Sequence, residues 1–481
     1  MASRSGPEEK PARLDVNKSA VVSPLIFPQF GFPPRRRITQ SVRQTVSSHR
    51  FARGGKPLGT LTHPQVQTVT RLALYDLRGG PANPKVKMNP TTTYAALIGM
   101  DWGHESHAIA LRPADGAIEQ RTLKHSAENL HAWLDELHQR FGGRPIALAI
   151  ESSRGAVIHA VAQRDWITVY PIHPRTSARY REAFTPSGAK DDQPDADVLL
   201  ALIERHRDRL KPLHRADEQT RRLDLFCRAR RTAVDLRTQL LNRLQSLLQG
   251  YFPQALELCG EELGAPLALD LLARWPTLTA LQKVRPATLR SFYYTHNVRR
   301  PEAVEARVQR VAQARALTDD AVVIDVSVAQ VHGLIAQLRP LQKHIAALDD
   351  TIAQVFAAHP DAAIFRELPG AGKVLAPRLV AAFGTERTRY PDAESFGQYT
   401  GVLPVLERSG GRKWVHWRWS APKFLRQSFV EWAKQTVRYC PWACAYYERQ
   451  KGRGKRPQAI YRALAAKWIR ILWRCWQDRT P

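Results

Sequence analysis

The first stretch of the chain in which hydrophobic positions repeat begins at Tyr94. YAALIGMD is a short apolar run closed by an acid, WGHES reads as a turn, and HAIALR alternates like a strand folding back on the first. SAENLHAWLDELHQRF then repeats with helical period, with Ser126 placed to cap it, and RPIALAIES is a second apolar strand that again ends in an acid. A helix (GAVIHAVAQR), a strand (WITVYPI) and a helix (PDADVLLALIERH) continue the alternation to about residue 210. This order predicts an α/β unit built on a mostly parallel sheet flanked by helices.

From residue 216 to 357 the pattern is helical. Val331, Leu334, Leu338, Leu341, Ile345, Leu348, Ile352 and Val355 step alternately by three and four, which is a coiled-coil seam. A weaker seam (Val234, Leu241, Leu244, Leu248, Tyr251) precedes it, so the two either pair as an internal hairpin or join two protomers. Pro340 is expected to bend the second helix or mark its restart. After His359-Pro360 comes FRELPGAGKVLAPRLVAAFG. Its GAGK is not a nucleotide-binding loop, because Val374 stands where that loop needs a hydroxyl. Two readings stay open: a helix-hairpin-helix that offers backbone N–H groups to a phosphate, or a structural turn. The chain thus divides into a basic extension (1–90), an α/β region (91–212), a helical coiled-coil region (213–358) and a mainly α-helical C-terminal region (359–481).

Charge identifies the partner class. Lys and Arg number 72 against 44 Asp and Glu, a formal net charge of +28, which suits a polyphosphate surface. Residues 1–87 hold 15 Lys/Arg, 4 Asp/Glu and ten prolines without any sustained period, and read as a disordered basic arm or as translated upstream sequence before Met88. From Gly411 onward there are 17 Lys/Arg, 3 Asp/Glu and eight of the twelve tryptophans. Trp468 and Trp473 fit the apolar face of a last helix and pack the core. Trp414, Trp417 and Trp419 in KWVHWRW are read as an aromatic strand face, with Val415, His416 and Arg418 opposite, able either to stack on bases or to pack. No run of 18 uncharged apolar residues occurs, and the polar sequence after Arg35-Arg36-Arg37 excludes a twin-arginine leader, so no membrane span is expected and the location is cytoplasmic. Five cysteines without a second pair beside Cys440 and Cys444 argue for reduced, packed thiols and not for zinc.

Four carboxylates stand at element ends: Asp101 and Glu151 close strands, and Asp192 and Asp195 share one face at the start of a helix. The carboxyl edge of an open α/β sheet is where ligands bind, and acids converging there can hold divalent cations for phosphodiester chemistry.

The segments carrying these acids, IGMDWGHESHAIAL, IALAIESSRG and KDDQPDADVLLAL, together with LPGAGKVLAPRLVAAFG, FGQYTGVLPVLERSGGRK and the trailing YYERQKGRGKRPQAIYRALAAKWIRILWRCW, resemble the insertion-sequence-110 transposases, also called DEDD transposases or bridge-RNA-guided recombinases. The resemblance covers about residues 94–475. It implies an RNase H-like (RuvC-like) α/β domain whose Asp101, Glu151, Asp192 and Asp195 hold Mg²⁺ or Mn²⁺, and a DNA nucleophile at Ser409. It also implies DNA and a structured guide (bridge) RNA as partners, and a dimer or tetramer in which the serine of one subunit meets the carboxylates of another. Family members often carry two serines before the glycine pair, whereas Arg408 fills the first place here; WRWSAPKFLRQSF likewise departs from the usual turn. Arg408, Arg412 and Lys413 are candidates to hold the scissile phosphate, and Trp414, Trp417, Arg418, Lys423 and Arg426 to contact nucleic acid. The competing readings are a RuvC-like nuclease that only hydrolyses DNA and an inactive nucleic-acid-binding relative.

Overall fold

A computed structural model describes residues 93–152, 155–183, 192–418 and 420–480. The expected basic extension and Trp419 lie outside them, as does the side chain of Asp192.

The α/β region is a five-stranded sheet in the order β3-β2-β1-β4-β5. Its strands are β1 (Ala96–Trp102), β2 (Ser106–Pro113), β3 (Glu119–Lys124), β4 (Ile146–Ile150) and β5 (Ile167–Pro171). β1 pairs parallel with β4 and β4 with β5, while β1–β2 and β2–β3 are antiparallel. The sheet is therefore mixed and not mostly parallel, because the turn after Trp102 is too short for a crossover and sends β2 back alongside β1.

The two faces are packed differently. Ile98, Met100, Ile109, Leu148 and Ile150 face helices α1 (Ala127–Phe141) and α2 (Ala156–Val161), where α1 contributes Leu130, Trp133, Leu134 and Leu137. Ser126 caps α1, its Oγ accepting from the Asn129 N–H at 3.1 Å. On the other face, after α3 (Pro174–Glu182), lies α4 (Asp192–His206), packed on Ala108, Ala110, Ala147 and Ala149 through Ala196, Leu199, Leu200 and Ile203. Those strand positions are small, and Gly99 in β1 is the point of closest approach: a Cβ there would stand 2.1 Å from the Ala196 carbonyl oxygen. Alternating large and small residues along IALAI thus turn one face toward bulky side chains and let a helix backbone sit on the other.

The helical region opens with α5 (Glu218–Tyr251), followed by five short helices, α6 to α10 (Ala255–Leu258, Pro266–Arg274, Leu278–Gln282, Pro286–Thr295, Pro301–Gln313), and then α11 (Ala321–Ala357). α5 and α11 pair antiparallel, since Leu223 and Cys227 cluster with Ile352, Ala233 with Ile345 and Leu348, and Leu244 and Leu248 with Val331 to Leu338. The heptad positions are filled within one chain. Six of the eight seam residues are buried there, and Arg230 bridges to Asp349 alongside them. Pro340 does not restart the helix, which runs unbroken through it. α11 is long and apolar enough to cross a membrane by length and composition alone, but its apolar seam lies against α5.

The C-terminal region contains α12 (Ala362–Arg366), α13 (Gly372–Phe383), α14 (Ala393–Thr400), the hairpin β6 (Val405–Ser409) and β7 (Arg412–His416), α15 (Lys423–Tyr439), α16 (Pro441–Gly452) and α17 (Pro457–Asp478). Phe383, Phe396, Phe429, Trp432, Trp468 and Trp476 form its core. Each buried indole N–H is satisfied: Trp432 donates to the Pro369 carbonyl, Trp468 to Thr436 Oγ1 and Trp476 to the Gly384 carbonyl, so these rings pack the interior. The glycine turn before α13 packs on α15, where a Cβ on Gly370 (φ +69°) would meet Tyr439 and Gln435. Cys227, Cys259, Cys440 and Cys475 are buried and Cys444 is exposed, all as free thiols.

Candidate functional site

The carboxyl ends of β1 and β4 lie side by side. Met100 pairs with Ile150 as the last parallel rung, so Asp101 and Glu151 are the next residue on each strand. By alternation both belong to the face that carries Gly99 and Ala149, the face covered by α4.

The direction of α4 follows from its contacts. Glu204 pairs with Arg112, opposite Leu97, whereas Asp197 accepts from Gln120 at 2.9 Å, at the level of Ala110 and Gly99. The helix therefore runs against β1, and its first turn, with Asp192 and Asp195, points to the strand ends where Asp101 and Glu151 stand. A second helix ties the acids together. Ser177 and Arg181 are one turn apart on α3; Ser177 Oγ donates to Glu151, and Arg181 Nη1 meets Asp195 Oδ1 at 2.6 Å. Asp195 is buried, so its charge is matched by a largely buried guanidinium. Neither Ser177 nor Arg181 carried any signal in the sequence, since their partners lie 26 and 14 residues away.

The donor set suits a hard cation, being carboxylate oxygen throughout, and a guanidinium already supplies positive charge at Asp195. Among the described residues no three such side chains converge closely enough to hold an ion, with Asp195 turned to Arg181.

Ser409 lies elsewhere. It ends β6 and pairs with Arg412 across the two-residue turn Gly410-Gly411, in which Gly410 adopts φ +56°. Arg408 pairs with Lys413 on the next rung, and all four side chains are exposed. This puts one hydroxyl and three cations at a hairpin tip. No hydrogen bond or ion pair joins that tip to the sheet acids among the described residues. The region expected to be mainly helical thus presents its serine on strands.

The tryptophan face needs correction. Trp414 and Trp417 are three residues apart and cannot share a strand face, and β7 ends at His416. Trp414 is 48% exposed. Trp417 instead carries two guanidiniums against its ring, with Arg426 4.6 Å and Arg462 4.0 Å from the ring centroid. Lys423 and Arg426 occupy the first turn of α15. Arg462 was not anticipated.

A family profile described as a transposase, DEDD type of IS110, matches residues 98–253, and one described as "Transposase IS116/IS110/IS902 family" matches residues 362–448. The "Mini-circle putative transposase for IS117" of Streptomyces coelicolor is 28% identical over 392 residues, covering 80% of this chain and 94% of the relative. The chain belongs to the IS110 family of transposases. The transposase is also similar to an uncharacterized 43.6 kDa protein of insertion element IS110 from the same organism (26% over 409 residues, 82% and 96% covered). A third relative is an uncharacterized 42 kDa protein of insertion element IS900 from Mycobacterium paratuberculosis (26% over 395 residues, 79% and 95% covered). The first profile spans Asp101, Glu151, Asp192 and Asp195, and the second spans Ser409, so both parts of the candidate site fall inside family-matched sequence.

Proposed function

We propose that this transposase cuts and rejoins DNA strands with Ser409 as nucleophile and a carboxylate cluster, Asp101, Glu151, Asp192 and Asp195, that holds Mg²⁺ or Mn²⁺ on an RNase H-like (RuvC-like) sheet. The observation carrying this reading is the adjacency of Asp101 and Glu151 at parallel strand ends, faced by the first turn of α4. A divalent cation held there would supply charge stabilisation for oxygens at the reacting phosphodiester.

The chain's own residues would do the rest. Ser177 orients Glu151 and Arg181 orients Asp195, while Arg408, Arg412 and Lys413 beside Ser409 hold the phosphate and its developing charge. Ser409 Oγ would bond to phosphorus as the bond to the leaving deoxyribose oxygen breaks, and that oxygen would take up a proton in place of the one Oγ loses. The phosphoserine link conserves bond energy for joining to a second strand.

The serine and the acids stand on different elements without direct contact, so an active site would be assembled when nucleic acid and a second subunit bring the hairpin to the sheet edge. Because α5 already fills the heptad seam, a dimer or tetramer would form through other surfaces. A structured guide RNA enters this reading through the family resemblance, supported by the basic C-terminal region.

The test is a denaturing gel of the full chain with labelled DNA. Wild type is expected to give a covalent protein–DNA band that Ser409→Ala abolishes, and Asp101→Asn and Glu151→Gln should abolish cleavage while binding persists. Mixing Ser409→Ala with Asp101→Asn should restore part of the activity if the halves come from two subunits. Cleavage in chelator refutes the cation. Cleavage without any adduct, or an adduct that survives Ser409→Ala, replaces the serine mechanism with the hydrolytic nuclease.

A further inference from the structure

At the base of the serine-bearing hairpin, positive charge gathers with no ion-paired acid to balance it among the described residues. Several other shielded arginines of the described structure meet carboxylates: Arg181 meets Asp195, Arg378 meets Glu431 and Arg387 meets Asp361. Around Trp417 the arrangement differs. Arg426 from α15 and Arg462 from α17 both stack on the indole, and Arg426 Nη1 donates to the Arg418 carbonyl at 3.4 Å. Arg462 Nε donates to the Gln458 carbonyl at 3.1 Å. Arg418 keeps a buried Nε with no hydrogen-bond partner. None of the three has a carboxylate within ion-pair distance among the described residues.

An indole face attracts a guanidinium, but it is neutral and leaves the net charge of the cluster in place. Burial and the nearby Arg426 hold the Arg462 guanidinium below its ordinary range. Two half-buried like charges are stable together when an anion joins them. The planar forks of arginine match phosphate oxygens, two donors to two acceptors. Trp417 then serves as the plate that keeps two forks in place, and is covered too well to stack on a base.

We propose that Arg426 and Arg462, stacked on Trp417, bind a phosphate oxyanion of the nucleic-acid backbone. β7 separates this point from the Ser409 turn by five residues, roughly 17 Å of extended strand. The phosphate bound here is therefore a different one from that which Ser409 would attack, and holding it would fix the hairpin stem against α15 and α17. The inference rests on the reading of this hairpin as a nucleic-acid contact, and adds to it Arg462 and the role of Trp417.

The experiment is equilibrium binding of a labelled DNA duplex by the full chain in chelator, across a range of salt, so that no strand chemistry intervenes. Arg462→Gln should reduce the slope of log affinity against log salt by about 0.9, the value for one phosphate, and weaken low-salt binding by about tenfold. Arg462→Lys should keep the slope, and Trp417→Leu should reproduce the loss while Trp417→Phe does not. Unfolding temperatures of all variants identify any that simply misfold. An unchanged slope in both Arg462→Gln and Arg426→Gln overturns the proposal. Inorganic phosphate supplies the second arm: if it raises the unfolding temperature of wild type but not of Arg462→Gln while DNA slopes stay equal, the ligand is free phosphate and the backbone assignment fails. Ser409→Ala should bind like wild type throughout, so failure of the serine mechanism and failure of this site are read separately.

Discussion

At the scale of single residues, the ion pair between Arg181 and Asp195 has the clearest consequence. Both side chains are largely buried, so each charge depends on the other. A divalent cation held by Asp195 would have to share that carboxylate with the guanidinium. Arg181→Ala is thus expected to lower unfolding stability by about 3 kcal/mol in chelator, yet to tighten Mn²⁺ binding by about tenfold or more, since a competing positive charge is gone. Calorimetric titration of Mn²⁺ into both proteins checks this. Weaker binding in the variant would show that the positioning of Asp195 by Arg181 outweighs its competition with the cation. The acids themselves were legible in the sequence because apolar strands end on them, as in IALAIE and ALIGMD. Arg181, Ser177 and Arg462 were not, because each gains its meaning from a partner brought close only by folding.

Helices and strands were readable to the extent that burial is periodic. β1, β2, β4 and β5 announce themselves as apolar runs, whereas β3 (EQRTLK) buries only Leu123 and holds its place by backbone pairing with β2. The heptad seam showed that α11 has a partner without saying which, and Leu244 and Leu248 of α5 supply the answer. Gly99 illustrates another limit: nothing in ALIGMDW says that a helix backbone will rest on it. The packing makes a specific demand there, with an added Cβ 2.1 Å from the Ala196 oxygen and 2.5 Å from the Leu200 nitrogen. Gly99→Ala should therefore push α4 off the sheet, at a cost of about 1–3 kcal/mol or more, and carry Asp195 away from Asp101 and Glu151. Thermal unfolding combined with DNA cleavage and binding assays should show lower stability and lost cleavage with binding kept. Full cleavage in this variant would mean that the spacing of α4 from β1 is immaterial to the site.

Across the whole molecule, two buried imidazoles set an acid limit. His359, against Asp217 and Asp361, is held below its ordinary value of 6.5 chiefly by burial, with Arg387 adding to the effect. His107 is lowered likewise by burial and by His125. The unfolded chain then binds protons that the folded one refuses, so the stability from these groups is complete above pH 6.5 and is lost progressively as pH falls below it toward the lowered folded-state values. Denaturant unfolding followed between about pH 7.5 and 5.5 should show this decline. A flat profile would mean that both rings accept protons in place. His359 also shares Thr220 with Asp217, at the start of α5, so its protonation bears on the joint between the long helix and the C-terminal region. That helix has a further consequence. Thirty-four residues at 1.5 Å each make α5 about 51 Å long, equal to about fifteen base pairs of B-form duplex at 3.4 Å per step. Paired with α11 it is a stiff ruler: contacts with a duplex at its two ends would fall about one and a half helical turns apart, on opposite sides of the DNA, and one heptad added to both helices would move them by about three base pairs.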